Sequence, residues 1–149
     1  MSIFPAKIVL AIDGSEEAGL AAEAATELSR DTGSEVVVTY VLSTPEELIG
    51  HHFYSPEIRE SLIEQARSEA RKFLDGRVEQ LRSEGAKVVD THLRTGEPDK
   101  EIIRLSEEIG ATLIVMGSRG LGAVRRALMG SVSDSVVRHA HCPVLIMRH

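Results

Sequence analysis

Ala111-Thr-Leu-Ile-Val-Met116 runs straight into Gly117-Ser-Arg-Gly120-Leu-Gly-Ala-Val-Arg-Arg-Ala-Leu-Met-Gly130-Ser131-Val-Ser133. The apolar run predicts a strand, the glycine at its end a loop, and Gly130-Ser131 the start of a helix. A strand, a loop and a helix start in that order bring main-chain N–H groups to one point, which suits an anion the size of a phosphate. The charge of the loop agrees. Arg119, Arg125 and Arg126 stand there with no carboxylate before Asp134, in a chain whose net charge is -6.

The same alternation extends through the chain. Lys7 to Ile12, Glu35 to Val41, Lys87 to Leu93 and Val144 to Met147 are further short runs, β-branched or continuously apolar, and with Ala111 to Met116 they predict five strands. Near-continuous apolarity is what strands covered on both faces require, so the expected class is α/β, a parallel sheet between helices. Helices are expected at Glu16 to Thr32, with Ala18, Ala21, Ala22, Ala25 and Leu28 inward, and from about Pro56 to Ser83. The second carries Ile58, Leu62, Ala66, Ala70, Phe73, Leu74, Val78 and Leu81 on one stripe, and Gly85 ends it. A third follows Gly96-Glu97-Pro98-Asp99, turns Ile102, Ile103 and Leu105 inward and closes at Gly110; Ser131 to His139 makes a short fourth. Ser43 to Ser55 is the one long loop. With no linker, repeat or low-complexity stretch, residues 1–149 read as a single domain. A chain of this length buries roughly 70 % of its unfolded surface and needs no staple.

Composition excludes several classes. With 23 acidic against 17 basic residues, 3 % aromatics and no tryptophan, the chain lacks the basic footprint and stacking platform of nucleic-acid binders. Its single cysteine, Cys142, cannot bridge internally and suits a reducing compartment. Met1-Ser-Ile-Phe-Pro5 is too short for a signal core, and no apolar stretch approaches the ~20 residues of a membrane span, so the expected location is the cytoplasm. A Walker lysine is missing, because no Gly-Lys pair occurs, and no Gly-x-Gly-x-x-Gly opens the first helix. His139, His141, Cys142 and His149 gather near the C-terminus. His139 falls in a last helical turn and His141-Cys142-Pro143 enters a strand, so no metal site is expected there, nor at His51-His52. No nucleophile elbow supports a Ser/His/Asp triad.

An open parallel sheet binds its ligand beyond the carboxyl ends of its strands, where the strand order reverses. Two ends carry suitable residues. The first strand stops at Asp13-Gly14-Ser15, a carboxylate on a tight turn before a helix, and the fourth stops at Gly117. If these strands are neighbours, Asp13 can accept from ribose hydroxyls while the helix start at 130–133 holds phosphates. Each residue also has a plainer reading. Gly117 and Gly120 serve as turn glycines in many proteins. Ser131-x-x-Asp134 is an ordinary capping box, and Asp13 is an N-cap candidate, although Ser15 is the better one. Arg125 and Arg126 read equally as solvated charges and as phosphate contacts.

Gly117-x2-Gly120-x9-Gly130-Ser131 resembles the full Gly-x2-Gly-x9-Gly-(Ser/Thr) pattern of the ATP-binding branch of the universal stress protein family. Ala11-Ile12-Asp13-Gly14-Ser15-Glu16 looks like that family's first strand and turn, and Cys142-Pro143-Val144-Leu145-Ile146 is similar to its final strand. The resemblance covers the whole chain in order. It implies an adenine nucleotide alpha hydrolase-like fold, an open twisted five-stranded parallel sheet in order 3-2-1-4-5 with helices on both faces. It also implies ATP, or AMP or ADP, in the cleft, with Mg2+ or Mn2+ as the cation that would accompany it. Carried over by position, Asp13 contacts ribose and the main chain of Val41 faces adenine. Ala11 and Ile12 line the adenine pocket, and Met116, Gly117, Arg119, Gly120, Gly130, Ser131, Val132 and Ser133 surround ribose and phosphates. Homodimers joined through the last strand, 144–147, with further pairing to tetramers, complete the implication.

Three classes of function stand open at this point: a nucleotide-binding regulatory module of a stress response, a slow Mg-dependent ATPase or nucleotidyl-transfer enzyme in the same pocket, and an interaction protein without nucleotide. Intact glycines disfavour the third. Hydrolysis needs a residue that positions the attacking water, and beyond Asp13 none is apparent near the phosphates, so binding without catalysis is expected.

Overall fold

A computed structural model describes residues 2–45, 50, 54–118 and 130–149. Its elements, in chain order, are β1 (Lys7–Ile12), α1 (Glu16–Thr32), β2 (Glu35–Leu42), α2 (Pro56–Ser83), β3 (Lys87–Thr95), α3 (Pro98–Ile109), β4 (Leu113–Gly117), α4 (Ser131–His139) and β5 (Val144–Met147). The strands form one sheet in the order β3-β2-β1-β4-β5, and every neighbouring pair is parallel. The order reverses between β1 and β4. Most of the Ser43 to Ser55 loop, His51 and His52 included, lies outside the described residues, as do Arg119, Gly120, Arg125 and Arg126.

Alternation along the strands sorts their side chains into two cores. Ile8, Leu10 and Ile12 of β1 join Val36, Val38, Leu113 and Val115 on one face, under Ala21, Ala22 and Ala25 of α1 and Leu74, Val78 and Leu81 of α2. Val9, Val37, Ile114 and Met116 face the other way, against Ile102 and Leu105 of α3 and Val136 of α4. The alanines explain the seat of α1. Ala18, Ala21, Ala22 and Ala25 are all buried, and side chains that short let the helix axis approach the sheet closely.

Helix ends follow their residues. Ser15 caps α1, its Oγ accepting from the N–H of Ala18 at 3.1 Å, and Ser55 caps α2 in the same way from Ile58 at 3.2 Å, with Pro56 in the first turn. Strand boundaries differ from the sequence expectation in three strands: β2 runs on to Leu42, and β4, which ends at Gly117, and β3 shift as well. β4 begins at Leu113 rather than Ala111, because the Ala111 N–H closes the end of α3 on Ser106 O, at 2.8 Å. β3 continues to Thr95, where Arg94 and Thr95 still pair with Val41 and Leu42.

The two ends of the sheet are unlike. At the amino end, buried serines bind the main chain across elements: Ala6 N donates to Ser34 Oγ, Ser29 Oγ to Ser34 O, and Lys87 N to Ser29 Oγ, each at 2.7 Å. That end is sealed. At the carboxyl end, β4 stops beside the start of α4, where Gly130 N donates to Ser118 O.

Candidate functional site

Asp13 directly follows β1 on a turn that Gly14 makes with φ of 85°, a left-handed conformation that favours glycine. Its Oδ1 accepts from the Ser15 N–H at 3.0 Å and from the Ser15 hydroxyl at 2.6 Å, while Ser15 itself caps α1. Asp13 is therefore not the cap. The turn fixes the carboxylate through one oxygen, and Oδ2 takes no hydrogen bond from the described residues. Tyr40 stands close by, paired in register with Ile12. Burial, and then the Asp13 carboxylate, push its phenol above the ordinary value, and its ring meets Phe73 edge-on with centroids 5.5 Å apart. Sequence reasoning missed Tyr40; an aromatic one residue before Val41, where the sequence reading ends the strand, was the available signal.

The expected adenine pocket divides between the faces of the sheet. Ala11, Val41, Met116 and Val132 lie together on the α3 and α4 side, where Ala11, Val41 and Val132 are only partly buried. Ile12 belongs to the opposite core, 4 % exposed beneath α1 and α2, so its side chain is committed and only its main chain reaches the cleft. On the far side of β2, Arg94 pairs in register with Val41 and sits among carboxylates. Its Nη2 lies 2.5 Å from Glu108 Oε2, and its Nη1 lies 3.6 Å from Glu101 Oε1. The hydrogen bond to Glu108 raises the Arg94 pKa, and the same bond lowers that of Glu108. With two acidic partners, this arginine is not a free anion receptor.

Gly117 ends β4 where the start of α1 presses on it. A Cβ there would stand 2.6 Å from Glu17 Cβ, 2.7 Å from Glu17 C and 2.8 Å from Ala18 N. Close approach of helix to strand is sufficient reason for glycine at this position. Ser118, 2 % exposed, then links three elements: its N–H donates to Met147 O at 2.8 Å, and its carbonyl accepts from Gly130 N at 2.6 Å and from the Ser133 hydroxyl.

The capping box expected at Ser131 and Asp134 is displaced by one residue. Gly130 is the N-cap, its N–H pinned to Ser118 O, and its carbonyl accepts the first helical bond from Asp134 N at 3.0 Å. Ser133 takes the reciprocal place, its Oγ accepting from Gly130 N at 3.1 Å. Asp134 pairs with Arg138 instead, at 3.0 Å. Ser131, Val132 and Ser133 occupy the first turn, whose N–H groups have no helical carbonyl one turn back to bond. Ser131 is exposed, whereas the Ser133 side chain is buried. Val132 is half-buried, and N–H groups at the positive end of a helix suit an anion. Gly130 itself has φ of -79° and ψ of 169°, extended backbone that any residue adopts.

The C-terminal histidines disperse. His139 Nδ1 lies 2.9 Å from Ser135 O, His141 pairs with Glu107 at 3.0 Å and His149 with Glu16 at 3.7 Å. Among the described residues no group of three His, Cys, Asp or Glu side chains is arranged to hold a metal, and no helix is long and apolar enough to cross a membrane. A cavity of about 350 Å³ lies between α1 and α2, lined by Glu16, Glu23, Arg77 and Glu84 among others. It contains none of the residues of the cleft.

Comparison with known proteins agrees with this architecture. A protein of Staphylococcus aureus (strain USA300) bearing the universal stress protein name is 36 % identical over 144 residues, covering 95 % of this chain and 82 % of its own. The solved structure of the hypothetical protein MJ0577 superposes with a TM-score of 0.82 at 27 % identity, over 96 % of this chain and 95 % of that one. A universal stress protein from Archaeoglobus fulgidus in complex with dAMP superposes with a TM-score of 0.65 at 28 % identity, over 95 % and 96 %. The model of the Universal stress protein family matches residues 6–148, and the chain, with its 3-2-1-4-5 parallel sheet, belongs to that family.

Proposed function

We propose that this protein is an adenine-nucleotide-binding regulatory module of a stress response, holding ATP, or its AMP or ADP counterpart, at the carboxyl ends of β1, β2 and β4. One observation carries the reading. Asp13, with a carboxylate oxygen to spare, and the three N–H groups that open α4 stand on either side of the crossing between β1 and β4. A ribose offers hydroxyls to the first and a polyphosphate offers oxygens to the second, while Ala11, Val41, Met116 and Val132 supply the apolar wall that a base requires. The related Archaeoglobus fulgidus protein in complex with dAMP supports the choice of adenine. A cation such as Mg2+ would enter with the phosphates, and Asp13 offers it a carboxylate oxygen.

Binding is favoured over turnover because an anion receptor and a ribose acceptor position phosphates without orienting a nucleophile. The protein works, on this reading, in the cytoplasm and as a homodimer. β5 has β4 on one side and no described strand on the other, and Leu145 on it is 36 % exposed. A second copy across a two-fold axis would satisfy that edge. Mass spectrometry of small molecules released from the purified, denatured protein tests the central assignment. An adenine nucleotide in near-stoichiometric amount is expected; its absence, together with no heat on titrating ATP, would remove the assignment.

A further inference from the structure

The cleft contains one serine that does not fit the role of ligand contact. Ser133 is 1 % exposed, and its hydroxyl is fully engaged: it accepts from Gly130 N at 3.1 Å and has Ser118 O and Gly130 O as acceptors for its single proton. Its side chain is turned into the fold, toward Ser118 and Gly130. The residue it holds is a glycine at the N-cap, where a side chain would ordinarily do the capping and where glycine has the widest choice of backbone angles. Ser133 supplies the N3 half of a capping box, the oxygen that receives the Gly130 N–H, while the half that a side chain at Gly130 would supply is missing.

The bond has a consequence for direction. The N–H groups of Ser131, Val132 and Ser133 point where the first turn of α4 points, and that turn is fixed at its start by Gly130. Gly130 is held by two acceptors, Ser118 O at 2.6 Å and the Ser133 hydroxyl. Ser118 is in turn anchored to the end of β5 through Met147 O. The strap thus runs from β5 through β4 to the anion receptor. Asp13, Ala11 and Val41, on the nucleoside side, take no part in it.

We infer that Ser133 is a positioning residue whose hydroxyl, acting through Gly130, aims the N–H groups of α4 at the phosphates, and so sets how strongly the site prefers a nucleotide to its nucleoside. The inference rests on the proposed nucleotide site. It makes affinity for the phosphates, and not for adenosine, depend on a buried hydroxyl.

The test is calorimetric titration of the parent and of Ser133→Ala with ATP and with adenosine, alongside thermal unfolding. The expected result is a loss of about tenfold in ATP affinity, the scale of a helix terminus acting on an anion, with adenosine affinity held within about twofold. A variant that loses both equally, or neither, overturns the inference, since a merely structural serine lowers the melting temperature without changing the ratio. If the alanine variant does not fold, Ser133→Cys, of similar size and with a weaker donor, carries the same test on the same ratio. A parent protein that binds neither ligand overturns the nucleotide site itself, an outcome distinct from an unchanged ratio.

Discussion

Replacing Gly117 with alanine separates packing from ligand binding at the end of β4. The added Cβ would lie 2.6 Å from Glu17 Cβ, 2.7 Å from Glu17 C and 2.8 Å from Ala18 N. Carbon atoms rest about 3.5 to 4.0 Å apart, so α1 and β4 must separate by about 1 Å. Neither moves easily. The first half of α1 buries Ala18, Ala21 and Ala22 on the sheet, and β4 is paired with β1 on one side and β5 on the other. Overpacking of this kind typically destabilises by ~1–3 kcal/mol, and with main-chain atoms in two of the three contacts the upper end, about 3 kcal/mol, applies. For a domain of this size each kcal/mol moves the melting temperature by ~2–4 °C, which gives a fall of about 6–12 °C. Scanning calorimetry without nucleotide reads it. Gly130→Val is the control, because the extended backbone of Gly130 accommodates a β-branched residue and the poorer cap takes away only about 1 kcal/mol, while the branched side chain abolishes ATP binding. If Gly117→Ala melts within about 2 °C of the parent, the contact of α1 with β4 is not as described. If Gly130→Val is the less stable of the two, the division of labour between the glycines is wrong.

Asp13→Ala is expected to weaken ATP by about tenfold and inorganic triphosphate far less, as judged by calorimetry, since the carboxylate is assigned to hydroxyls that triphosphate lacks. Equal losses would move Asp13 out of the ribose role. Phosphate release with Mg2+ should stay well below ~1 per second, and a rate in the usual enzymatic range of ~1 to 1000 per second would overturn the binding-module reading. Light scattering at micromolar concentration should show a dimer for the parent and a shift toward monomer for Leu145→Lys, with ATP binding retained. Leu145 is the residue of choice because Met147, on the same strand, packs against the core under α1 and α2; a monomeric parent would refute the edge pairing.

The fold was legible because its signals are local and redundant. Runs such as Ile8-Val-Leu-Ala-Ile12 are short, rich in β-branched residues and apolar at every position, as a strand covered on both faces is, and Ser15, Ser55 and Gly110 mark helix ends by their own chemistry. The strand order followed from the resemblance, and the pairings agree with it. The site was legible in its residues and less so in their roles. Ile12 stands beside Ala11 in sequence, yet the two-residue period of a strand sends it into the other core. The cap of α4 lies at Gly130 and not at Ser131 because the Gly130 N–H donates to the carbonyl of Ser118, twelve positions back, and no local pattern reports a partner that distant. Tyr40 was missed for the same reason: its tie to Asp13 exists only once β1 and β2 are paired.

One spacing therefore carries two physical demands. Gly117 is glycine because a helix comes within 3 Å of where its side chain would be. Gly130 meets no such demand from its backbone angles, and on the proposed reading the space in front of it is kept for the phosphates. Sequence alone gives the two residues the same letter. In the fold, the first sets the distance of α1, and with it the Asp13-Gly14-Ser15 turn, from β4, and the second opens the start of α4 to the cleft. A ligand spanning both halves depends on the two for different reasons: the loss of Gly117 is felt first as stability, and the loss of Gly130 first as affinity. Ser118 and Ser133 join the halves, since the carbonyl that follows Gly117 in the chain is the acceptor that fixes Gly130. The start of α4 is thus fixed to the end of β4 by bonds to Ser118, so on the proposed reading its N–H groups are set in place before a ligand arrives.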